Sequence, residues 1–190
     1  QGPDVFYQGE SADSIVAEMQ RGGGIITKTD LEGYRPAWRE PIRSTYRGHT
    51  LLTMPPSSSG GITITETLNI LEALPGVPTY ASPEWYHRVA SAYQRAFIDR
   101  NSKLGDPDFI SIPRVELTSK AYARELASSI QSGRATPTAT LTQGRPEGDH
   151  TTHYWVVDAE GNAVARTTTI NSLYGSGVYI AGAGFFMNNE

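Results

Sequence analysis

The change of sequence character around residue 150 is the strongest constraint on how this chain folds. Before residue 134, apolar residues recur at helical spacing, whereas residues 154–158, Tyr-Trp-Val-Val-Asp, begin a stretch dense in strand formers. Residues 134–150 lie between the two and have the composition of a linker. Because helices and strands are segregated along the chain, the sequence predicts an α+β fold with a mostly antiparallel sheet.

Two hairpins are predicted from runs of strand formers that flank turn residues. Residues 42–46 and 50–54 form the first, and residues 152–158 and 163–170, joined by a turn at 160–162, form the second. In an antiparallel hairpin, residues that are far apart in sequence come opposite each other. The second hairpin therefore brings its two outer ends together.

Capping signals bound two of the predicted helices. Ser82, followed by Pro83 and Glu84, is a strong helix start, and we expect this helix to run to Arg100. Thr118 is the predicted cap of a later helix that ends near residue 133. A third helix is predicted to open at Gly60-Gly61. The preceding Pro-Pro-Ser-Ser-Ser has no lysine after it, so we interpret this stretch as a structural turn and not as a phosphate loop.

Composition excludes several classes of function. The 190 residues carry a net charge of -4, which gives no electrostatic footprint for nucleic acid. The chain has no cysteine, which excludes disulfides and thiol catalysis, and its four histidines do not have the i, i+4 spacing of a zinc motif. We therefore expect no metal and no other cofactor. No apolar run approaches the roughly 18 residues that span a bilayer, and residues 1–4 do not resemble a signal peptide.

Thr151 stands where the linker-like segment meets the second hairpin. If the bond between His150 and Thr151 is cut, Thr151 carries a hydroxyl and a free α-amine, which pairs a nucleophile with its own general base. Gly144, Pro146 and Gly148 would let the scissile bond adopt the strained geometry that such a cleavage needs. The alternative is that Thr151 is an ordinary strand-opening threonine.

Thr169 lies near the end of the returning strand. The antiparallel pairing can bring it close to Thr151, where its hydroxyl could hydrogen-bond the nucleophile. The alternative is that residues 167–169, all threonine, were selected for their strand propensity alone.

Short motifs occur in order along the whole chain. Before residue 150 they are Tyr34-Arg35-Pro36, Trp38-Arg39-Glu40-Pro41, Tyr46-Arg47-Gly48 and residues 54–61. After it they are Thr151-Thr152-His153-Tyr154, Val156-Val157-Asp158, residues 161–164, residues 167–171, Gly175-Ser176-Gly177 and Met187-Asn188-Asn189-Glu190. Together they resemble the large–small subunit junction of the gamma-glutamyltransferases, also called gamma-glutamyl transpeptidases, of the N-terminal nucleophile hydrolase superfamily.

The resemblance implies a fold and a division of the chain. The fold is part of an αββα sandwich, in which two stacked sheets lie between layers of helices. Residues 1–150 resemble the C-terminal part of a large subunit that ends in a processing linker at about 134–150, and residues 151–190 resemble the start of a small subunit. The rest of the same precursor would then be the partner of this chain, and the resemblance implies an exported protein.

The resemblance also assigns roles to four residues. Thr151 would be the nucleophile, exposed by autocatalytic cleavage at His150–Thr151, and Thr169 would support it. Asn171 and Glu190 would bind the α-amino group of the substrate, and a carboxylate facing an ammonium is a strong pairing. The alternatives are a turn-forming asparagine and a solvated glutamate.

The implied reaction is transfer of a gamma-glutamyl group from glutathione, or another gamma-glutamyl donor, to water or to an amino acid or peptide amine. A related acylase acting on a cephalosporin-type amide and an inactive structural module are the alternatives. Asn171 and Glu190 favour the amino-acid donor. The family's oxyanion-hole glycines, serine pair, further aspartate and upstream arginine have no matching position here. We therefore expect a central piece of a longer precursor, with little or no turnover by itself.

Overall fold

The structure is a computed structural model that describes residues 2–141 and 151–189, with residue 151 described through its backbone. Its helices, strands and one 3-10 turn are, in chain order, α1 Asp4–Tyr7, α2 Glu10–Gly22, α3 Lys28–Gly33, β1 Ile42–Tyr46, β2 His49–Thr53, α4 Gly60–Ala73, α5 Pro83–Lys103, α6 Arg114–Leu117, α7 Lys120–Ser128, the 3-10 turn Thr138–Thr140, β3 Thr151–Val157, β4 Ala163–Thr169, β5 Tyr179–Ile180 and β6 Phe185–Phe186. The described strands form three antiparallel pairs. The predicted α+β class with antiparallel strands is confirmed.

The chain divides into two compact units, one made of residues 38–145 and the other of residues 1–37 with 146–190. The predicted boundary between residues 150 and 151 concerns a cleavage site and not a folding boundary, so it stays a prediction. No helix in the described part of the chain combines the length and apolar character that crossing a membrane requires.

Three helices, α4, α5 and α7, form the core of the unit made of residues 38–145. The side chains of Ile70, Ala92, Ala123 and Ala127 are buried where these helices meet. Ser82 caps α5 as predicted, because its hydroxyl accepts a hydrogen bond from the backbone N–H of Trp85 at 3.2 Å.

The cap of α7 is one residue later than the sequence predicts. Ser119 is the cap, and its hydroxyl accepts from the backbone N–H of Tyr122 at 3.1 Å. The hydroxyl of Thr118 instead donates back to the carbonyl of Arg114 at 2.8 Å, which closes the short helix α6. The prediction of Thr118 was wrong because two adjacent residues can both cap, and the end of α6 decides between them.

The first hairpin, β1 and β2, packs on the start of α4. Its two-residue turn, Arg47 and Gly48, has φ values of 47° and 82°, as expected for a tight turn with both central residues left-handed. Ile42, Ile62 and Leu117 form a second buried cluster, between the hairpin, α4 and α6. The prediction of a hairpin here, and of a helix opening at Gly60, is confirmed.

The other unit has its own small core. Ile15 and Met19 of α2 are buried with Ile180 of β5. Gly23 caps the C-terminus of helix α2: it has a φ of 73° and donates its backbone N–H to the carbonyl of Met19. The same unit contains the second hairpin, β3 and β4, which carries the residues that the sequence analysis placed at a reactive centre.

Candidate active site

The second hairpin sets the geometry of the candidate site. Strands β3 and β4 pair antiparallel from Thr151 opposite Thr169 to Val157 opposite Ala163. The turn between them is held by Asp158, whose Oδ1 accepts from the backbone N–H groups of Glu160 and Asn162, both at 2.9 Å. The register thus places the two threonines at the open end of the hairpin, directly opposite each other.

Hydrogen bonds at the turn stabilise the charged form of Asp158. Its side chain accepts from the Asn162 side chain at 2.8 Å, and the Asn162 backbone N–H adds a second bond. These bonds lower the pKa of Asp158 below its usual value. The ionised aspartate therefore fixes the turn, and the turn fixes which threonines meet at the far end.

A hydrogen bond between a side chain and the backbone links Thr169 to Asn171. The Thr169 Oγ1 accepts a hydrogen bond from the backbone N–H of Asn171 at 2.9 Å. Strand β4 ends at Thr169, and Asn171 has a φ of 68°, in the left-handed region that asparagine tolerates better than most residues. The chain turns immediately after Thr169, so Asn171 lies in the loop beyond the strand.

The loop after β4 returns to the segment that precedes Glu190. The backbone N–H of Ser172 donates to Oδ1 of Asn189 at 3.0 Å, and the Asn189 side-chain amide donates to the Ser172 hydroxyl at 3.0 Å. Ser172, the neighbour of Asn171, is therefore joined by two hydrogen bonds to Asn189, the neighbour of Glu190. Glu190 itself, like His150, lies outside the described residues.

Gly175 lets the two arms of this loop approach closely. It has a φ of 55°, and a Cβ at this position would lie 1.9 Å from the carbonyl oxygen of Met187. The neighbouring Ser176 donates its backbone N–H to that same oxygen at 2.9 Å. No larger residue fits here, which explains the glycine of the Gly175-Ser176-Gly177 motif in physical terms.

His153 has a partner on the opposite strand. Its Nδ1 lies 2.8 Å from Oγ1 of Thr167, which is the residue directly opposite in the register. Cross-strand side-chain pairs of this kind stabilise a hairpin. His153 is thus positioned by the strand pairing itself. Among residues 2–141 and 151–189, no group of three or more His, Cys, Asp and Glu side chains lies close enough to hold a metal ion.

A second cluster of titratable residues lies in the helical unit. Glu66 of α4 is fully buried, and no N–H or O–H group of the described residues donates to either of its carboxyl oxygens. Burial, followed by the charge of Asp99 and a hydrogen bond to it, raises the pKa of Glu66 to about 9. At neutral pH Glu66 therefore keeps its proton.

Asp99 is the centre of this cluster. Its Oδ1 lies 2.8 Å from Nζ of Lys103, and its Oδ2 accepts from the Tyr122 hydroxyl at 2.7 Å. Burial, with the carboxylate of Asp99 beside it, raises the pKa of Tyr122 to about 12. The Asp99 side chain is thus surrounded by Glu66, Lys103 and Tyr122, which come from α4, α5 and α7.

A family model matches the whole chain. It is described as gamma-glutamyltranspeptidase, and the match runs over residues 1–190. The chain belongs to the gamma-glutamyltranspeptidase family. The resemblance in the ordered motifs is thereby confirmed, and the Thr151–Thr169 hairpin is part of a member of this family.

Curated relatives of this gamma-glutamyltranspeptidase family member include two kinds of proenzyme. The "Glutathione hydrolase proenzyme" of Escherichia coli is 44% identical over 193 aligned residues, which cover all of this chain and 33% of that protein. The "Acylase ACY 1 proenzyme" of Pseudomonas sp. (strain SE83) is 42% identical over 191 residues, which cover all of this chain and 34% of that protein. The chain spans about a third of the length of these relatives.

The fold is also found in a solved structure. The crystal structure of cephalosporin acylase from Bacillus halodurans matches with a TM-score of 0.79 at 33% identity, over 98% of this chain and 33% of that chain. The predicted N-terminal nucleophile hydrolase fold is confirmed by this match.

Some residues of this family member were not found by sequence reasoning. The bonded pair Ser172 and Asn189 went unnoticed, although short polar side chains near glycines often bond the backbone of a turn. Glu66 and Asp99 also went unnoticed. Their only signal is an acidic residue on the otherwise apolar face of a predicted helix, which is rare unless it is paired.

Proposed function

We propose that this chain is the part of a gamma-glutamyltransferase precursor that surrounds its cleavage junction, and that Thr151 is the nucleophile of both cleavage and catalysis. One observation carries the proposal. In a chain of this family, Thr151 begins β3 at the end of the linker-like segment and lies opposite Thr169 in the register of the hairpin. Residues 1–150 then belong to the large subunit, and residues 151–190 begin the small subunit.

The cleavage step follows from ordinary acyl chemistry. The Thr151 hydroxyl attacks the carbonyl carbon of His150, the C–N bond breaks as the nitrogen takes up a proton, and an ester links the two residues. Water hydrolyses that ester and leaves a carboxylate on His150 and a free α-amine on Thr151. That amine, with a reference pKa near 8, is then a base next to the regenerated hydroxyl.

The catalytic step uses the same hydroxyl. The α-amine of Thr151 accepts the hydroxyl proton as the oxygen attacks the gamma-carbonyl carbon of glutathione or another gamma-glutamyl compound. The amide nitrogen leaves with a proton, and a gamma-glutamyl ester remains on Thr151. Water, or the amine of an amino acid or peptide, releases the acyl group. The rest of the precursor would supply donors for the oxyanion that forms in both halves of the reaction.

Three further residues have proposed roles around this centre. Thr169 supports the nucleophile, since it lies opposite Thr151 in the register and its hydroxyl oxygen is held by the backbone N–H of Asn171. Asn171 and Glu190 bind the substrate α-ammonium through side-chain oxygens. The pair of hydrogen bonds between Ser172 and Asn189 supports this assignment, because it ties together the neighbours of the two residues.

An acylase activity is the second candidate. It is favoured by the 42% identity to the Acylase ACY 1 proenzyme, which is nearly as high as the 44% identity to the E. coli protein. A gamma-glutamyl donor carries an α-ammonium group, so the residues proposed to bind this group test whether gamma-glutamyl compounds are the substrates. By its family we also propose that the parent protein is exported.

The substitution Asn171→Gly tests both the site and the substrate class. Glycine is chosen because it accepts the φ of 68° without strain. In the full-length parent we expect KM for a gamma-glutamyl anilide to rise roughly 10- to 100-fold, since a hydrogen bond to a charged group is lost. KM for an anilide of the same acyl length without the α-amine should not change. A gamma-glutamyl KM that stays the same would remove Asn171 from the site, and a parent that hydrolyses only the second anilide would favour the acylase.

A further inference from the structure

The side chain of Asn189 holds the peptide unit that follows Asn171. Its Oδ1 accepts a hydrogen bond from the backbone N–H of Ser172 at 3.0 Å, and its Nδ2 donates to the Ser172 hydroxyl at 3.0 Å. Hydrogen bonds depend on direction as well as on distance. Two bonds from one amide group to one residue therefore fix how the peptide unit between Asn171 and Ser172 is oriented.

Hydrogen bonds lie on both sides of Asn171. Its own backbone N–H donates to Oγ1 of Thr169 at 2.9 Å, and the next N–H along the chain is the one that Asn189 accepts. Between these two bonds Asn171 has a φ of 68°. Asparagine tolerates this left-handed conformation better than most residues, but it is still unfavourable for a residue with a Cβ. Such a conformation persists where the surrounding structure holds it.

The segment that carries Asn189 is itself anchored. The backbone N–H of Met187 donates to the carbonyl of Val178 at 2.9 Å, and the backbone N–H of Ser176 donates to the carbonyl of Met187 at 2.9 Å. Val178 and Met187 also pack against the buried cluster that contains Ile180. All of these residues belong to one compact unit. Asn189 therefore reaches Ser172 from a fixed position.

The direction of the Asn171 side chain depends on its backbone. Within the described part of the chain, no hydrogen bond joins the Asn171 side-chain amide to another residue. Its direction is therefore set by φ and by the rotamers that this φ allows. Bonds that keep φ in the left-handed region also keep the amide in its present direction.

We propose that Asn189 and Ser172 are positioning residues for Asn171, and that they hold its side chain in the direction from which it binds the α-ammonium group of the gamma-glutamyl donor. This inference rests on the proposed function, in which Asn171 binds that group. Without the pair, Asn171 leaves the left-handed conformation in a fraction of the molecules. The apparent affinity for the donor falls by that fraction, whereas the reaction of the bound donor at Thr151 is unchanged.

The test compares variants of the full-length parent with a gamma-glutamyl anilide as substrate. Asn189→Leu removes both hydrogen bonds at similar size. Asn189→Asp keeps both, since a carboxylate accepts from the N–H and the Ser172 hydroxyl can turn to donate. Ser172→Ala removes one bond. Ser128→Ala, at an exposed position of α7, is the matched control for the loss of a serine hydroxyl.

We expect KM to rise roughly 5- to 30-fold for Asn189→Leu and about fivefold for Ser172→Ala, since one net hydrogen bond corresponds to about a fivefold change. The kcat per cleaved molecule should stay close to the wild-type value in both variants. Asn189→Asp should keep a KM near that of the wild-type protein, and Ser128→Ala should match it.

A double variant separates positioning of Asn171 from general support of the loop. If the pair acts through the Asn171 side chain, Asn189→Leu adds nothing to the KM of Asn171→Gly, because residues that act through one another are not additive. Fully additive effects, or a wild-type KM for Asn189→Leu beside a raised KM for Asn171→Gly, would overturn this inference alone. A wild-type KM for Asn171→Gly would instead refute the role of Asn171 in the proposed function.

Discussion

At the scale of single residues, two glycines show how closely backbone segments approach in this chain. Gly175 allows the loop after β4 to contact the segment before Asn188, and Gly61 allows α4 to begin against the end of β2. A Cβ on Gly61 would lie 1.9 Å from the carbonyl oxygen of Met54, whereas one on Gly60 would meet nothing closer than the Ser58 hydroxyl at 3.6 Å. The close approach of the backbone therefore requires glycine at position 61, whereas position 60 has room for a side chain.

The substitution Gly61→Ala should destabilise the protein, because the added methyl group clashes with backbone that cannot move away. We expect a loss of about 1–3 kcal/mol in the free energy of unfolding, as for other overpacked sites. Gly60→Ala is the matched control and should be neutral or slightly stabilising, since alanine favours helix over glycine. Urea denaturation of the uncleaved parent measures both. Equal stabilities of the two variants would contradict the close approach at Gly61.

At the scale of secondary-structure elements, the acidic cluster joins three helices. Asp99 accepts from Lys103 and Tyr122, and its charge acts on the buried Glu66, so α4, α5 and α7 meet at one buried carboxyl group. This arrangement depends on a single proton. In the folded protein the pKa of Glu66 is about 9, and its model value is 4.5.

The sign of the resulting pH dependence follows from these two values. Below pH 4.5 Glu66 is protonated in both states, and its contribution to stability is fully present. As the pH rises towards about 9, the unfolded chain releases this proton and the folded chain keeps it, so stability falls. Above the folded pKa Glu66 is ionised in both states and the contribution is lost.

Glu66→Gln should remove this dependence, since glutamine can donate to Asp99 without a titrating proton. We expect the variant to be more stable than the wild-type protein at pH 8, and the difference to shrink or reverse at pH 5. Glu125→Gln, at an exposed position of α7, makes the same chemical change outside the cluster and should follow the wild-type profile. The urea concentration at the midpoint of unfolding, measured for the three proteins across this pH range, tests this prediction. Parallel profiles for all three proteins would show that Glu66 does not hold a buried proton.

The elements also show which features a sequence can predict. The approach of Thr151 and Thr169 was foreseeable, because the two residues are equally distant in sequence from Glu160, which lies in the turn that Gly161 marks. The acidic cluster was not foreseeable. It depends on which polar groups of packed helices meet, as Asp99 and Tyr122 do across 23 residues of sequence, and helical spacing identifies a buried face without identifying its partners.

At the scale of the whole molecule, the second hairpin exposes apolar side chains of the kind that inner strands of a sheet normally bury. Every residue of β4 is exposed, and five large apolar side chains of the hairpin are exposed as well, namely Tyr154, Trp155, Val156, Val157 and Val164. A two-stranded hairpin is marginally stable without further cover. We expect other parts of a longer precursor to cover these faces, consistent with a chain that spans about a third of its curated relatives.

Intact mass spectrometry of the full-length parent tests the central claim, that Thr151 is an N-terminal nucleophile made by self-cleavage. We expect two polypeptides, the smaller beginning at Thr151, and a single uncut chain for Thr151→Ala. Thr152→Ala, a change to the exposed neighbouring threonine, should still give two polypeptides. An uncut parent, a cut at another bond, or a Thr151→Ala variant that is cut normally would show that Thr151 is not the nucleophile of self-cleavage.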